Sequence, residues 1–260
     1  MLSDASMVEI ASTRPIGKPP VFGGTTVGPF CPRCCRIWRK GQMLYSLDGY
    51  HALITREELD PAHVEAMLRL RKRLFVDHCG WLLTTVGDVE RDQFDCWYTE
   101  HCLLFSGVEL VGGFRAIRTD YPYLSKSIFP QLAQRRFPSR RDAWEISRFG
   151  VLPGAAKASA ARVNYALMFR FAELRGAAAL VAMADLTYER FLARMDIHTH
   201  RYGPPQLIGN DRFGRPLTAL AGEIPLDIAG NPGLTKFLDL GRQLEIHDAT
   251  HVLGRSSIPA

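Results

Sequence analysis

The chain has 260 residues, 47% of them hydrophobic, enough to bury a substantial core in one large domain or one domain with extensions. No apolar run reaches the length of a membrane helix and the N-terminal stretch lacks the pattern of a secretory signal, so a cytoplasmic protein without membrane insertion is expected. The balance of 32 Lys and Arg against 27 Asp and Glu, a net +5, points to an acidic partner, and the six cysteines have no framework spacing, so reduced thiols are expected.

Residues 1–42 follow neither a helical nor a strand period, carry Pro19-Pro20 and Gly23-Gly24, and read as a mobile N-terminal extension. Its Cys31, Cys34 and Cys35 form one isolated cluster without a second paired set, so they read as a reduced tail rather than a zinc site. From Met43 to Thr55 the pattern is that of a strand; Asp60 is then placed to cap a helix starting at Pro61 and running to near Phe75. Residues 101–105 and 109–118 read as strands paired through Ser106 and Gly107, and residues 144–151 as a third. The alanine-rich stretch 157–176 suits a helix stopped by Gly176, residues 179–184 a buried strand, and residues 186–195 another helix. His198 and His200 share one face of a possible strand but lack a third ligand, and read as a loop pair. Past residue 225 the pattern assigns no element, and residues 226–260 are a C-terminal extension of one α/β domain over 43–225.

On a helical wheel Val64, Leu68, Arg71 and Phe75 fall in one stripe, so Arg71 points at the core. A guanidinium stays charged at any working pH, and burying it demands carboxylates. Glu90, Asp92, Asp95 and Glu145 are the candidates. Alternation along 109–118 sends Arg115 to the side of Val111 and Ile117, a second inward cation. Such a cluster can be an ion network that fixes the fold or a site; the residues alone leave both open. Gly112 and Gly113 suit close backbone packing in the sheet rather than phosphate binding.

The blocks RLRKRLFVDHCGW, ERDQFD, GGFRAIRTDYPYLSKSIFPQL and WEISRF resemble, in order and spacing, the LuxI-type acyl-homoserine-lactone synthase (autoinducer synthase) family over residues 43 to 225. The family pattern falls on Arg71, Phe75, Trp81, Asp92, Asp95, Arg115, Phe129, Glu145 and Arg148, none of them altered. The resemblance implies a fold similar to GNAT acyltransferases, with a mixed, twisted central sheet, helices on both faces, and a cleft where the sheet splays. It also implies a reaction: the amine of S-adenosylmethionine attacks an acyl thioester, and lactonisation then releases methylthioadenosine and a quorum-sensing signal. S-adenosylmethionine is a substrate there, so neither a cofactor nor a metal is expected.

In that reaction Glu145 is the first candidate for general base, Asp92 and Asp95 orient and neutralise, and Arg115 and Arg148 fix the acids. Phe75 and Trp81 beside Asp92 suit the sulfonium, and Arg71 is a candidate to hold the substrate carboxylate. Glu145 and Arg148 are three positions apart, so both reach one site only if their strand carries a bulge. Phe129, Ala182 and Ala184 are expected at the acyl pocket. Many family members that prefer 3-oxo chains carry a threonine in strand 179–184; with alanines here, weak preference for 3-oxo chains is expected. The usual GNAT coenzyme A loop is missing after WEISRFGV, which favours acyl carrier protein over acyl-CoA as donor. Lys126, Arg135, Arg136, Arg140 and Arg141 would dock that acidic carrier. The alternatives are a GNAT-like N-acyltransferase acting on another amine and a basic nucleic-acid-binding regulator. The latter lacks a recognition helix, so no nucleic acid is expected.

Overall fold

The computed structural model describes residue 47, residues 49–153 and residues 159–254. The extension read over 1–42 with its three cysteines, and the strand pattern over 43–46, lie outside the described residues.

Strand β1 (Tyr50–Thr55) leads into α1 (Pro61–Arg71), whose start is set by the Asp60 side chain accepting from the His63 backbone N–H at 3.2 Å and by Pro61 in the first turn. The helix does not stop near Phe75: it continues as a π-helical turn over Lys72–His78. A small hairpin, β2 (Thr85–Val86) and β3 (Val89–Glu90), precedes the long pair β4 (Glu100–Ser106) and β5 (Glu109–Arg118). Then come α2 (Leu124–Ile128), β6 (Ala143–Val151), α3 (Ala160–Leu174) and β7 (Ala179–Ala184). Gly176 takes the left-handed conformation (φ 58°) that closes α3, as its position predicts. Helix α4 (Leu186–Arg194) is followed by β8 (His200–Arg201), β9 (Gln206–Asn210) and β10 (Pro216–Pro225). Residues past 225, to which the pattern assigned nothing, form α5 (Leu234–Gln243) and β11 (Glu245–Asp248).

The main sheet runs β11-β1-β4-β5-β6-β7-β10-β8, with β9 paired to β10. It is mixed, since β1 with β11 and β6 with β7 are parallel and the remaining pairs antiparallel. Alternation along the strands sorts side chains to two faces. One face meets α1 and the π-turn: Leu53 and Leu103 pack with Met67, Leu70, Leu74 and Phe75. The other carries Ala52, Ile54, Cys102, Leu104, Phe114 and Ala116 against α3, α4 and α5. The expected arrangement of helices on both faces of a mixed central sheet is thus present. Val111 corrects the simple alternation: one step on β4 (Leu104 to Phe105) faces two on β5 (Gly112 to Leu110), so Val111 is an extra residue. It packs with Phe114 rather than on the side of Arg115.

Glycine at 113 is forced by contact, because a Cβ there would lie 2.2 Å from the Cys102 carbonyl oxygen. The widest consequence for the site comes from β6 and β7. They pair only at Ala143–Ala179, Trp144–Leu180 and Glu145–Val181, although both strands run on, so the sheet splits beyond Glu145.

The C-terminal segment is built into this core: Phe237 is 1% exposed against α3, and β11 extends the sheet beside β1. A chain ending at Pro225 would bare that face of α3. Expressed alone it is expected to lose cooperative thermal unfolding; a truncated chain that melts as a single transition near the full-length temperature would contradict this.

Candidate active site

Three guanidinium groups and three carboxylates meet on the α1 face, inside the fold. The side chain of Arg71 is wholly buried; its Nε donates to Glu90 Oε2 at 2.6 Å, and Nη1 and Nη2 donate to the two Asp95 oxygens at 2.6 and 2.9 Å. Arg115, also buried, reaches Asp92 Oδ1 at 2.5 Å, Asp95 Oδ1 at 3.1 Å and the Ser147 hydroxyl at 3.0 Å. Arg148 spans Glu90 and Asp92, each at 2.9 Å from Nη2. Every acid serves two arginines and the formal charges cancel, which is what makes burial of six ions tolerable. Asp92 retains the most contact with solvent among the three acids, at 11% of its side chain against 0% for Glu90 and 1% for Asp95.

Local chain geometry aims these groups. Against three steps on β6 from Ser147 to Gly150, β5 takes two from Arg115 to Gly113, and Arg148 within that bulge has φ 54°. The bulge required for Glu145 and Arg148 to share a site is therefore present, held in a conformation uncommon outside glycine. Across the three strands His101, Arg115 and Ser147 form one ladder on this face. The π-turn carries Phe75 beneath Trp81, ring centroids 5.1 Å apart and 20° from parallel. A Cβ at Gly150 would lie 3.2 Å from Phe75, so glycine lets that ring rest on β6.

Burial alone would raise the carboxyls, but Arg115 and Arg71 hold Asp95 far below the usual range, and Arg115 and Arg148 lower Asp92. Both stay ionised. Glu145 goes the other way: burial raises it, although Ser125 opposes this. Its Oε1 accepts from the Ser125 backbone N–H at 2.8 Å and hydroxyl at 2.5 Å, and Oε2 from Leu124 N–H at 2.9 Å, so it also pins the start of α2. His101 is driven down to about 3 by burial, Asp95 opposing, and stays neutral.

Several expectations shift on this geometry. Arg71 was a candidate for contact with the substrate carboxylate; its donors are bound to Glu90 and Asp95 and none of it is exposed, so it positions the acids instead. Ala182 and Ala184 face the opposite side of β7 from Phe129, which packs with Val181 and Met183. The basic run is partly neutralised: Arg135 lies 3.6 Å from Glu223, Arg140 3.2 Å from Asp142 and Arg141 3.6 Å from Asp120, while Lys126 sits 5.9 Å over the Tyr123 ring. Sequence reasoning named Glu90 only as a possible partner, whereas it joins Arg71 to Arg148. Ser147, two residues past Glu145 on the same face, and Ser125 were missed; strand alternation could have found the first. Among the described residues no His, Cys, Asp or Glu group is arranged to hold a metal ion.

The sequence pattern of the family described as autoinducer synthase matches residues 55–227. Acyl-homoserine-lactone synthases of Ralstonia nicotianae and Acinetobacter nosocomialis are 32% and 33% identical to this chain; the alignments cover 61% and 53% of it and 81% of each relative. The structure of TofI in a ternary complex with an inhibitor and MTA superposes with TM-score 0.59 at 30% identity, covering 71% of this chain and 96% of that one. BjaI, a CoA-dependent acyl-homoserine lactone synthase with MTA, gives TM-score 0.67 at 23% identity over 77% and 93%, a likeness of fold.

Because His101 is neutral in the fold and its ordinary value is near 6.5, the stability it permits is complete above about pH 6.5 and drains as acid approaches its folded value. The low values of Asp92 and Asp95 cost stability only below about pH 4. Thermal melts of His101→Leu should therefore hold level between about pH 6.5 and 4, where the parent protein declines; parallel curves would refute the assignment.

Proposed function

Because the chain belongs to the autoinducer synthase family and is an acyl-homoserine-lactone synthase, an acyltransferase, we propose that its two substrates meet through the gap between β6 and β7. S-adenosylmethionine lies on the charged face and the acyl thioester enters from the apolar one. The observation that carries this reading is the neutral six-ion cluster with Asp92 as its most accessible acid, on the same face of a split sheet as the stacked Phe75 and Trp81. Asp92, held ionised, and the outer face of Trp81 offer the sulfonium an anion and a π surface. Phe75 supports that ring from beneath. Arg71, Arg115 and Arg148 position the acids.

For acyl transfer the substrate amine sheds a proton, its nitrogen bonds to the thioester carbonyl carbon, and the thiol departs. The methionyl carboxylate then attacks the carbon bound to the sulfonium, closing the lactone and expelling methylthioadenosine. Glu145, whose proton affinity burial raises while those of Asp92 and Asp95 are lowered, is the base in this proposal; it is buried with both oxygens accepting from Ser125 and Leu124, so the proton reaches it through a bridging water where β6 and β7 part rather than by direct contact. S-adenosylmethionine acts here as a consumed substrate, and this route uses neither cofactor nor metal. We place the reaction in the cytoplasm, where a carrier-bound acyl group would be met; no described helix is long and apolar enough to cross a membrane.

The preferred donor in this proposal is an acyl carrier protein. Exposed Arg136 and Arg141, the latter 86% exposed, with half-buried Lys126, retain positive surface for an acidic partner. Alanines at 182 and 184 offer no hydroxyl to a 3-oxo group.

Methylthioadenosine release, assayed with S-adenosylmethionine and a panel of acyl-carrier and acyl-CoA thioesters, tests the reaction. Glu145→Gln should lower kcat by at least about a hundredfold; Arg71→Ala should abolish turnover and cost about 3–5 kcal/mol, because Glu90 and Asp95 lose a buried partner. Acyl transfer without methylthioadenosine would instead indicate an N-acyltransferase for another amine. For docking, Arg136→Glu should raise KM for the acyl carrier several-fold with kcat unchanged, and added salt should shrink the difference. Equal KM values at low salt would remove the basic loop from the docking surface.

A further inference from the structure

On the apolar face a shallow hollow, with about 350 Å³ of empty space when the open solvent over it is included, lies between α4 and strands β7, β10 and β8. Its lining reaches across the sheet order from β7 through β10 to β8. At the end nearest the gap stands Tyr188, whose ring meets Phe149 of β6 at 6.4 Å. From there the strand register lays down one row, Ala182 opposite Gly222 and Gly222 opposite Arg201. The first two have almost no side chain, so the floor between them is low; the glycine is obligatory, since a Cβ at 222 would lie 2.8 Å from the His200 carbonyl oxygen. The row therefore runs clear for two strand spacings, roughly 9–10 Å, before it meets a large side chain.

That side chain is tied down. Arg201 Nε and Nη2 reach both oxygens of Glu189 on α4, at 2.6 and 2.5 Å, so the pair joins helix to edge strand across the end of the hollow. A bidentate arginine–carboxylate pair is a geometrically specific, polar barrier. An acyl tail lying along the row is solvated by apolar walls until it meets two charges that cannot be desolvated without loss.

We propose that the Glu189–Arg201 pair is the end wall of the acyl site and sets the longest saturated chain the enzyme accepts. This deepens the reading above and rests on it. The wall selects against long tails by leaving charge unsolvated beneath them, while shorter tails stop short of it and do not sense it.

The test is a competition series of saturated acyl thioesters from butanoyl to tetradecanoyl, with lactones quantified by mass spectrometry and methylthioadenosine release giving kcat/KM. The parent enzyme should fall off sharply at one chain length. Arg201→Ala should raise the ratio of kcat/KM for the first rejected length to that for the last accepted one by about tenfold or more, the scale of discrimination per methylene in an apolar pocket. Glu189→Gln, which keeps the volume but not the ion pair, should move the ratio the same way by less. Ala182→Leu, which raises the floor, should move it toward shorter chains. A melting curve confirms that each variant is folded; should Arg201→Ala fail to fold, Glu189→Gln decides. An unchanged ratio in folded Arg201→Ala or, failing that, in folded Glu189→Gln overturns the end wall. A parent enzyme that releases no methylthioadenosine from any donor overturns the reaction itself, and the wall with it.

Discussion

Desolvation of Arg71 is the constraint from which the rest of the site follows. A guanidinium with no exposed surface has to be matched by carboxylates, and Glu90 and Asp95 do so; each of those acids, also nearly buried, then binds a second cation. Arg115 and Arg148 supply these, and both converge on Asp92. The result is a closed circuit in which removing any member strands a partner in a medium of low polarity. Such a lattice holds its ionisable groups in fixed places before a ligand arrives, which is the condition for electrostatic preorganisation. It also explains why Asp92 remains an anion and a poor proton acceptor: two arginines flank it and hold its carboxyl low.

Backbone strain is the means by which β6 delivers its share. A regular strand would send Glu145 and Arg148 to opposite faces. The bulge reverses that at the cost of a positive φ at Arg148, and the pairing of Arg148 with Glu90 and Asp92 offsets the cost. The same departure from β5 brings Gly150 under Phe75, so one irregularity serves both the charges and the aromatic stack. The π-turn plays the corresponding part for α1, carrying the chain from Arg71 to the Phe75–Trp81 pair without a break.

Much of this was legible in the sequence because the relevant signals are local. The stripe holding Arg71 among Val64, Leu68 and Phe75 is a periodicity, the Asp60-Pro61 start is a capping pattern, and the three-residue spacing of Glu145 and Arg148 already demanded a bulge. What escaped were properties of pairing between distant segments. Val111 changes face because β4 and β5 differ in step, and no single strand carries that information. The saturation of Arg71 depends on where Glu90 and Asp95 fall after a hairpin, and helix periodicity cannot report it. Residues 234–248 divide: Leu234, Phe237, Leu238 and Gly241 recur at the i, i+3, i+4, i+7 spacing of an amphipathic helix, so α5 was legible and went unread, whereas β11 is only four residues long and is fixed by β1, remote in sequence.

The division of the sheet into two chemically opposite faces gives the split between β6 and β7 its meaning. A sulfonium amino acid is charged at three points and needs ions and water nearby; an acyl chain needs neither, and a single pocket suited to both would solvate one of them badly. Here the charged lattice and Glu145 lie on one side, while Tyr188, Ala182 and the hollow lie on the other, and the strands separate where the two would have to touch. Each substrate can then be desolvated by the face that matches it, with the amine and the thioester carbon meeting at the seam. A tail that enters from the apolar side has its length measured along the strand order, away from the seam. Selection of the acyl group is thereby physically separated from the ions that organise the attacking amine, so one can change without disturbing the other.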